Sequence, residues 1–248
     1  TCSVSGRGGL IGACFWGTIT NCYATGNVLG SGGGLIGNSY AADGGMVTII
    51  SNCYATGSVS GSGGGLVREN QGMIFDSHAT GNVLATRGNS GGLVGWNKIH
   101  HSSAPATVFI SNCYATGSVS GKYSVGGLVG SNGGDGIISN CYASGNCYDS
   151  GANIDPPAAH SSVGGLVGSN GDAGSISNCY AIGNIQTVYG GGGLVGENSD
   201  EATIADCYAT GNILAIDVAE NPELEDKHSV GGLVGRQYNN ATISNCYS

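Results

Sequence analysis

A short block, Gly-Gly-Leu-[Ile/Val] followed by Gly or Arg, occurs eight times in this chain, with its leucine at Leu10, Leu35, Leu66, Leu93, Leu128, Leu166, Leu194 and Leu233. A second block, Asn-Cys-Tyr-Ala-Thr-Gly or a near variant, alternates with it and starts at Asn21, Asn52, Asp76, Asn112, Asn140, Asn178, Asp206 and Asn245. Such a repeat constrains the fold before any single residue is weighed. One short unit cannot bury its own apolar side, so the units must stack and bury it against each other.

Spacing separates scaffold from decoration. From the leucine to the following cysteine is 13 residues in the last four units, but 18 in the second and 20 in the fourth. From cysteine to the next leucine the shortest interval is 13, growing to 25 after Cys141 and 26 after Cys207. Extra length thus enters at two fixed corners, as inserted loops near residues 40–47, 98–107, 148–161 and 215–228. The runs between are short, rich in Val, Ile, Tyr and Thr, and bounded by Gly, Asn and Ser, which reads as strands and turns. The expectation is an all-β chain, one continuous β-solenoid over residues 1–248, with about eight coils of 25–39 residues. The 49 glycines then serve corners where positive φ or close backbone approach is needed.

The pattern resembles the GLUG motif, a short Gly-Leu-x-Gly repeat found in tandem in secreted and surface-attached bacterial proteins. Leu35-Ile36-Gly37, Leu93-Val94-Gly95, Leu128-Val129-Gly130, Leu166-Val167-Gly168, Leu194-Val195-Gly196 and Leu233-Val234-Gly235 carry it. The resemblance implies adhesin-like or cell-surface material and brings no catalytic residues. The third unit departs from it: Arg68 replaces Gly, and Asp76-Ser77-His78 replaces Asn-Cys-Tyr. A local irregularity is expected in that coil.

Charge excludes one class of partner. Seven Lys and Arg stand against 16 Asp and Glu, a formal net charge of −9, so a basic patch for nucleic acid is not available. No apolar run approaches the ~20 residues of a membrane-spanning helix.

Seven of the ten cysteines share one place in the repeat: Cys22, Cys53, Cys113, Cys141, Cys179, Cys207 and Cys246. Cys2, Cys14 and Cys147 lie elsewhere. Their spacing is unlike a metal-binding cluster, and no cofactor is expected. Stacking puts equivalent cysteines one strand spacing apart, where Cα separations allow a disulfide. Bridges pairing Cys113 with Cys141 and Cys179 with Cys207 stand equal with a column of small buried thiols. The neighbouring Tyr23, Tyr54, Tyr114, Tyr142, Tyr180, Tyr208 and Tyr247 form an outward stripe if the cysteines point inward. Such a stripe would stack on sugars or pack against a neighbouring fibre; the reverse arrangement, tyrosines inward, is equally open.

Other candidates are weaker. Asp135, Asp172 and Asp200 recur at turns after Gly-Gly-Leu-Val-Gly and are calcium candidates, although Asp at a turn needs no metal. Asn240-Ala241-Thr242 is the one N-glycosylation sequon, and the Ser/Thr-rich stretch at 102–107 suits O-glycans. Nine acidic residues lie between Glu197 and Asp226, and His78, His100, His101, His160 and His228 sit mostly in or beside insertions. None makes a catalytic pair or triad by spacing, so no catalytic residue is expected. A polysaccharide lyase or hydrolase-like β-helix is the distant alternative.

Written tail to head, Asn245-Cys246-Tyr247 followed by Thr1-Cys2 and Val4 rebuilds a repeat short by one residue. The expectation is subunits stacking end to end into an extracellular filament or matrix fibre, a contact that does not close. The alternative is the repeat region of a larger cell-surface adhesin, binding glycans or host proteins through its loops. Low lysine content, the cysteine count and the family resemblance favour an extracellular setting.

Overall fold

A computed structural model of the chain describes residues 3–42, 45–99, 108–150, 161–216 and 229–248. Among them there is no helix; short strands stack in five parallel sheets, each strand pairing with its equivalents in the coils before and after. In the fifth unit the coil runs Ser124–Gly126, Val129–Asn132, Ile137–Ser139, Tyr142–Ala143 and Cys147–Asp149. These five strands belong to what we call the first to fifth sheets, of six, eight, eight, seven and seven described strands. One coil takes 25 residues from Ile11 to Ile36 and 39 from Val195 to Val234. The chain is therefore the all-β solenoid that its repeat requires.

Three local devices shape the corners, the third of them in the last four coils. Between the first and second sheets, Leu128 N–H and Val129 N–H both donate to Leu166 O, at 2.8 and 3.0 Å, and the same fork recurs in the other units. Between the third and fourth sheets, the residue opening each Asn-Cys-Tyr block takes a left-handed conformation, φ 47–55° from Asn21 to Asn245. Asn and Asp tolerate that region better than other side chains, which explains why Asp76 and Asp206 are the substitutes found there. Between the second and third sheets the turns are left-handed again, at Gly134-Asp135, Asp172-Ala173, Asp200-Glu201 and Asn239-Asn240.

The inward residues form two large apolar cores, with a small third cluster at Val188 and Tyr189. The larger stacks Leu, Val, Ile, Cys and Ala columns, such as Leu128, Val129, Ile138, Cys141 and Ala143 of one coil. The smaller stacks Val28, Val59, Val83, Val119, Cys147 and Ile185, with Val125 and Val163 against them. The Gly-Gly pair presses the first sheet onto the alanines of the fourth. A Cβ on Gly127 would fall on Gly165 O and lie 2.9 Å from Ala143 Cβ. Close approach is thus the main service of these glycines, because the left-handed corners are given largely to Asn and Asp.

The segments at 40–47 and 98–107 run between the second and third sheets, and those at 148–161 and 215–228 between the fifth and first. Much of this length lies outside the described residues. The third coil, expected to be irregular, keeps its register: Val67 pairs with Ile36 and Val94, Ile74 with Ile50 and Ile110, and His78 with Tyr54 and Tyr114. Its substitutions fit because each new side chain makes the bond its column requires or points outward.

Candidate functional site

The cysteines point inward and form one column, with Ser77 in the third coil's place. Each sulfur donates to the carbonyl two residues back, as from Cys141 to Ser139 O at 3.0 Å, and those of Cys141, Cys179, Cys207 and Cys246 also accept from the previous coil's backbone, as from Cys113 N–H at 3.4 Å. Ser77 Oγ does the same, donating to Phe75 O at 2.6 Å and accepting from Cys53 N–H at 3.1 Å. Cys113, Cys141, Cys179 and Cys207 are free thiols, which corrects the bridged alternative. Equivalent side chains of stacked parallel strands leave the backbone in one direction. Their Cβ atoms therefore stay ~4.8 Å apart, beyond the ~3.8 Å a disulfide prefers. Side-chain interaction with the Cys113 and Cys179 thiols, with burial added, holds the Cys141 thiol well above its ordinary range, and burial alone pushes Cys147 up to about 12. Both are poor nucleophiles, because the thiolate is the reactive form.

A second inward column was not recognised in the sequence. Asn70, Asn97, Asn132, Asn170 and Asn198 close the strands of the second sheet, and each buried amide donates to the next: 2.8, 2.7, 2.8 and 2.9 Å. Ser39 Oγ caps one end, donating to Asn70 Oδ1 at 2.7 Å. At the other, Gln237 takes the next place and turns its amide to Ala241 O, leaving Asn198 Nδ2 without a partner. The signal was present as an Asn four residues after each Gly-Gly-Leu leucine in these five units.

With cysteine inward, tyrosine faces out. Tyr23, Tyr54, His78, Tyr114, Tyr142, Tyr180, Tyr208 and Tyr247 stack as one ribbon, with ring centroids 4.6–5.2 Å apart and planes within 3–6°. His78 keeps the stack continuous, and burial lowers its pKa. Burial, then the neighbouring phenols, raise that of Tyr142. The interior rings spend both faces on each other and offer edges and hydroxyls to solvent.

The calcium candidates do not share one column. Asp172 and Asp200 occupy the first left-handed position of their turns and Asp135 the second. Asn239 Nδ2 donates to Asp200 Oδ1 at 2.8 Å, and among the described residues no three acidic, His or Cys side chains converge on a metal position. The three carboxylates therefore do not line up as one ladder, and Asp at such a turn needs no metal. Asn240 lies exposed on the equivalent turn of the eighth coil.

Of the residues expected at a subunit junction, Val4 bridges Val28 beneath the fifth sheet, while Asn245, Cys246 and Tyr247 lie in the last coil. Thr1 and Cys2 fall outside the described residues, as do His100, His101, His160, His228 and the acidic stretch 217–226.

One column differs in kind from the rest. By register, Asn38, Glu69, Trp96, Ser131, Ser169, Glu197 and Arg236 stack at the outward third position of the second sheet. Arg68 Nη1 donates to Asn38 Oδ1 at 2.9 Å and lies 3.7 Å from Glu69; Arg236 lies 3.9 Å from Glu197. Trp96, 36% exposed, has the Lys98 ammonium 5.2 Å from its ring centroid. It lines a groove of about 360 Å³ with Gly88, Asn89, Tyr123 and Ser124, and a smaller hollow of about 90 Å³ that reaches Ser62, Arg68 and Glu69.

No curated protein matches the chain in sequence at a significant level. The family model of the GLUG motif matches at residues 121–146, 159–186, 187–214 and 227–248, one match for each of the last four units. Those segments stack in the same five sheets as the earlier coils, and the last four units of the chain are GLUG repeats.

Proposed function

We propose that this protein is a structural, non-catalytic component of an extracellular filament or matrix fibre, built by coils of one copy stacking on coils of another. The observation that carries this reading is the unbroken parallel register of all five sheets. Each coil templates the next through backbone bonds and through Asn, Cys and Tyr columns whose members bind their own equivalents. A coil of a second copy meets the same contacts, and a contact of that kind repeats without closing.

The ionisable groups support a structural role. Glu69 and Glu197 lie beside arginines, and buried Asp149 accepts from Ser161 Oγ and from Val188 N–H. Among the described residues no helix is long and apolar enough to cross a membrane. The extracellular setting rests on the family resemblance and the low lysine content, since free thiols carry no mark of an oxidising compartment. Electron microscopy of the purified protein across a concentration series tests the proposal. Rods that lengthen with concentration in steps of one subunit are expected; short rods of one fixed length at every concentration contradict it.

A further inference from the structure

In a solenoid of near-identical coils, the positions that break the repeat are where a specific ligand can be read. Between the third and fifth coils three departures meet at one place, together with a lengthened connection that recurs from Cys179 to Leu194. Arg68 replaces the motif glycine. Trp96 stands where the next two coils carry Ser131 and Ser169. The interval from Ser77 to Leu93 is 16 residues and that from Cys113 to Leu128 is 15, against 13 in the first two coils. This added length supplies Gly88 and Asn89 on one side and Tyr123 on the other, and all of these residues line the paired cavities.

Folding does not require this. The outward column accepts Asn, Glu, Trp, Ser and Arg without any change of register, so a tryptophan there is not demanded by the core. The groove combines two exposed aromatics, Trp96 and Tyr123 at 47%, with the amide of Asn89, the hydroxyls of Ser62 and Ser124, and the charged pair Arg68 and Glu69. An apolar ligand would strand these polar groups, and a polyanion would meet a chain of net charge −9. A pyranose presents what the groove matches: C–H faces for the aromatic rings and a rim of hydroxyls that both donate and accept. A volume of about 360 Å³, open to solvent, lies within the usual range of ligand sites.

We propose that the groove between Trp96 and Tyr123 is a carbohydrate site that takes a short run of neutral pyranose rings, with Arg68, Glu69, Asn89 and Ser124 reading their hydroxyls. It is separate from the tyrosine ribbon and independent of end-to-end stacking.

The test uses the full chain carrying Trp16→Phe, so that Trp96 is the single fluorescent indole. Cello-, chito- and manno-hexaoses are titrated, with an alginate hexamer as the acidic comparison. A saturable shift of Trp96 emission with at least one neutral sugar is expected. Calorimetry of that sugar should show affinity falling about tenfold or more in Trp96→Ala and in Tyr123→Ala, and staying unchanged in Tyr180→Phe. Thermal melts identify folded variants, and each of the two alanine variants tests the site by itself. No response to any neutral sugar up to about 10 mM overturns the proposal. So does binding that survives both alanine substitutions, binding of the alginate alone, or an emission shift driven by protein concentration without sugar, which would mark the groove as a contact between copies.

Discussion

Along the second sheet, two columns one residue apart differ in what they tolerate. The inward column reads Asn in five consecutive coils, from Asn70 to Asn198, while the outward one reads Glu, Trp, Ser, Ser and Glu across the same coils. The inward amide donates to its own copy above and accepts from its own copy below, in a place without water. A different residue there strands two neighbours at once. The outward side chain meets solvent, and where it pairs, as Asn38 with Glu69 or Arg236 with Glu197, its partner is a different residue type. In this solenoid a column is uniform where residues bind their own equivalents and varied where they do not, so recognition is best sought in the varied column.

The comparison can be broken most severely at the inner face. Gly127→Ala puts a methyl onto Gly165 O, a carbonyl of stacked backbone, and against Ala143 Cβ, a methyl with no rotamer to turn aside. We expect a loss of at least about 3 kcal/mol in urea unfolding, or no soluble folded protein. A smaller effect sharpens the rule for the thiols. Cys141→Ser should cost about 1 kcal/mol or less, because Ser77 already makes both bonds of that column. Cys141→Val lacks a donor and an acceptor and should cost more. In the unaltered protein, alkylation followed by mass spectrometry should leave Cys113, Cys141, Cys179 and Cys207 unmodified until denaturant is added.

Much of this fold was legible in the sequence, because a repeat states its own register. Leu128, Ile138 and Val119 each stand at a motif position that recurs in the neighbouring units, and stacking follows from that recurrence. Two features were not legible. The cysteine spacing allowed both thiols and bridges; only the common direction of parallel side chains decides between them, and that is a property of three-dimensional stacking. Glycine was read as the residue of the corners, yet Asn140 and its equivalents hold those corners while Gly127 serves close packing. The groove at Trp96 escaped for a different reason. Its residues come from three coils and from short length differences that look like noise until register places Tyr123 near Trp96.

The central claim is that inward self-binding columns, and not the outward surface, hold the rod together. Ser131 and Asn132 are neighbours in one strand and test it most directly when each is changed to alanine and unfolded in urea. Asn132→Ala leaves Asn97 Nδ2 and Asn170 Oδ1 with lost partners and uncaps Gly136 O. The predicted result is a loss of about 2–4 kcal/mol for Asn132→Ala against a change within about 0.5 kcal/mol for Ser131→Ala. Equal losses at the two positions, or a larger one at Ser131, would contradict the account.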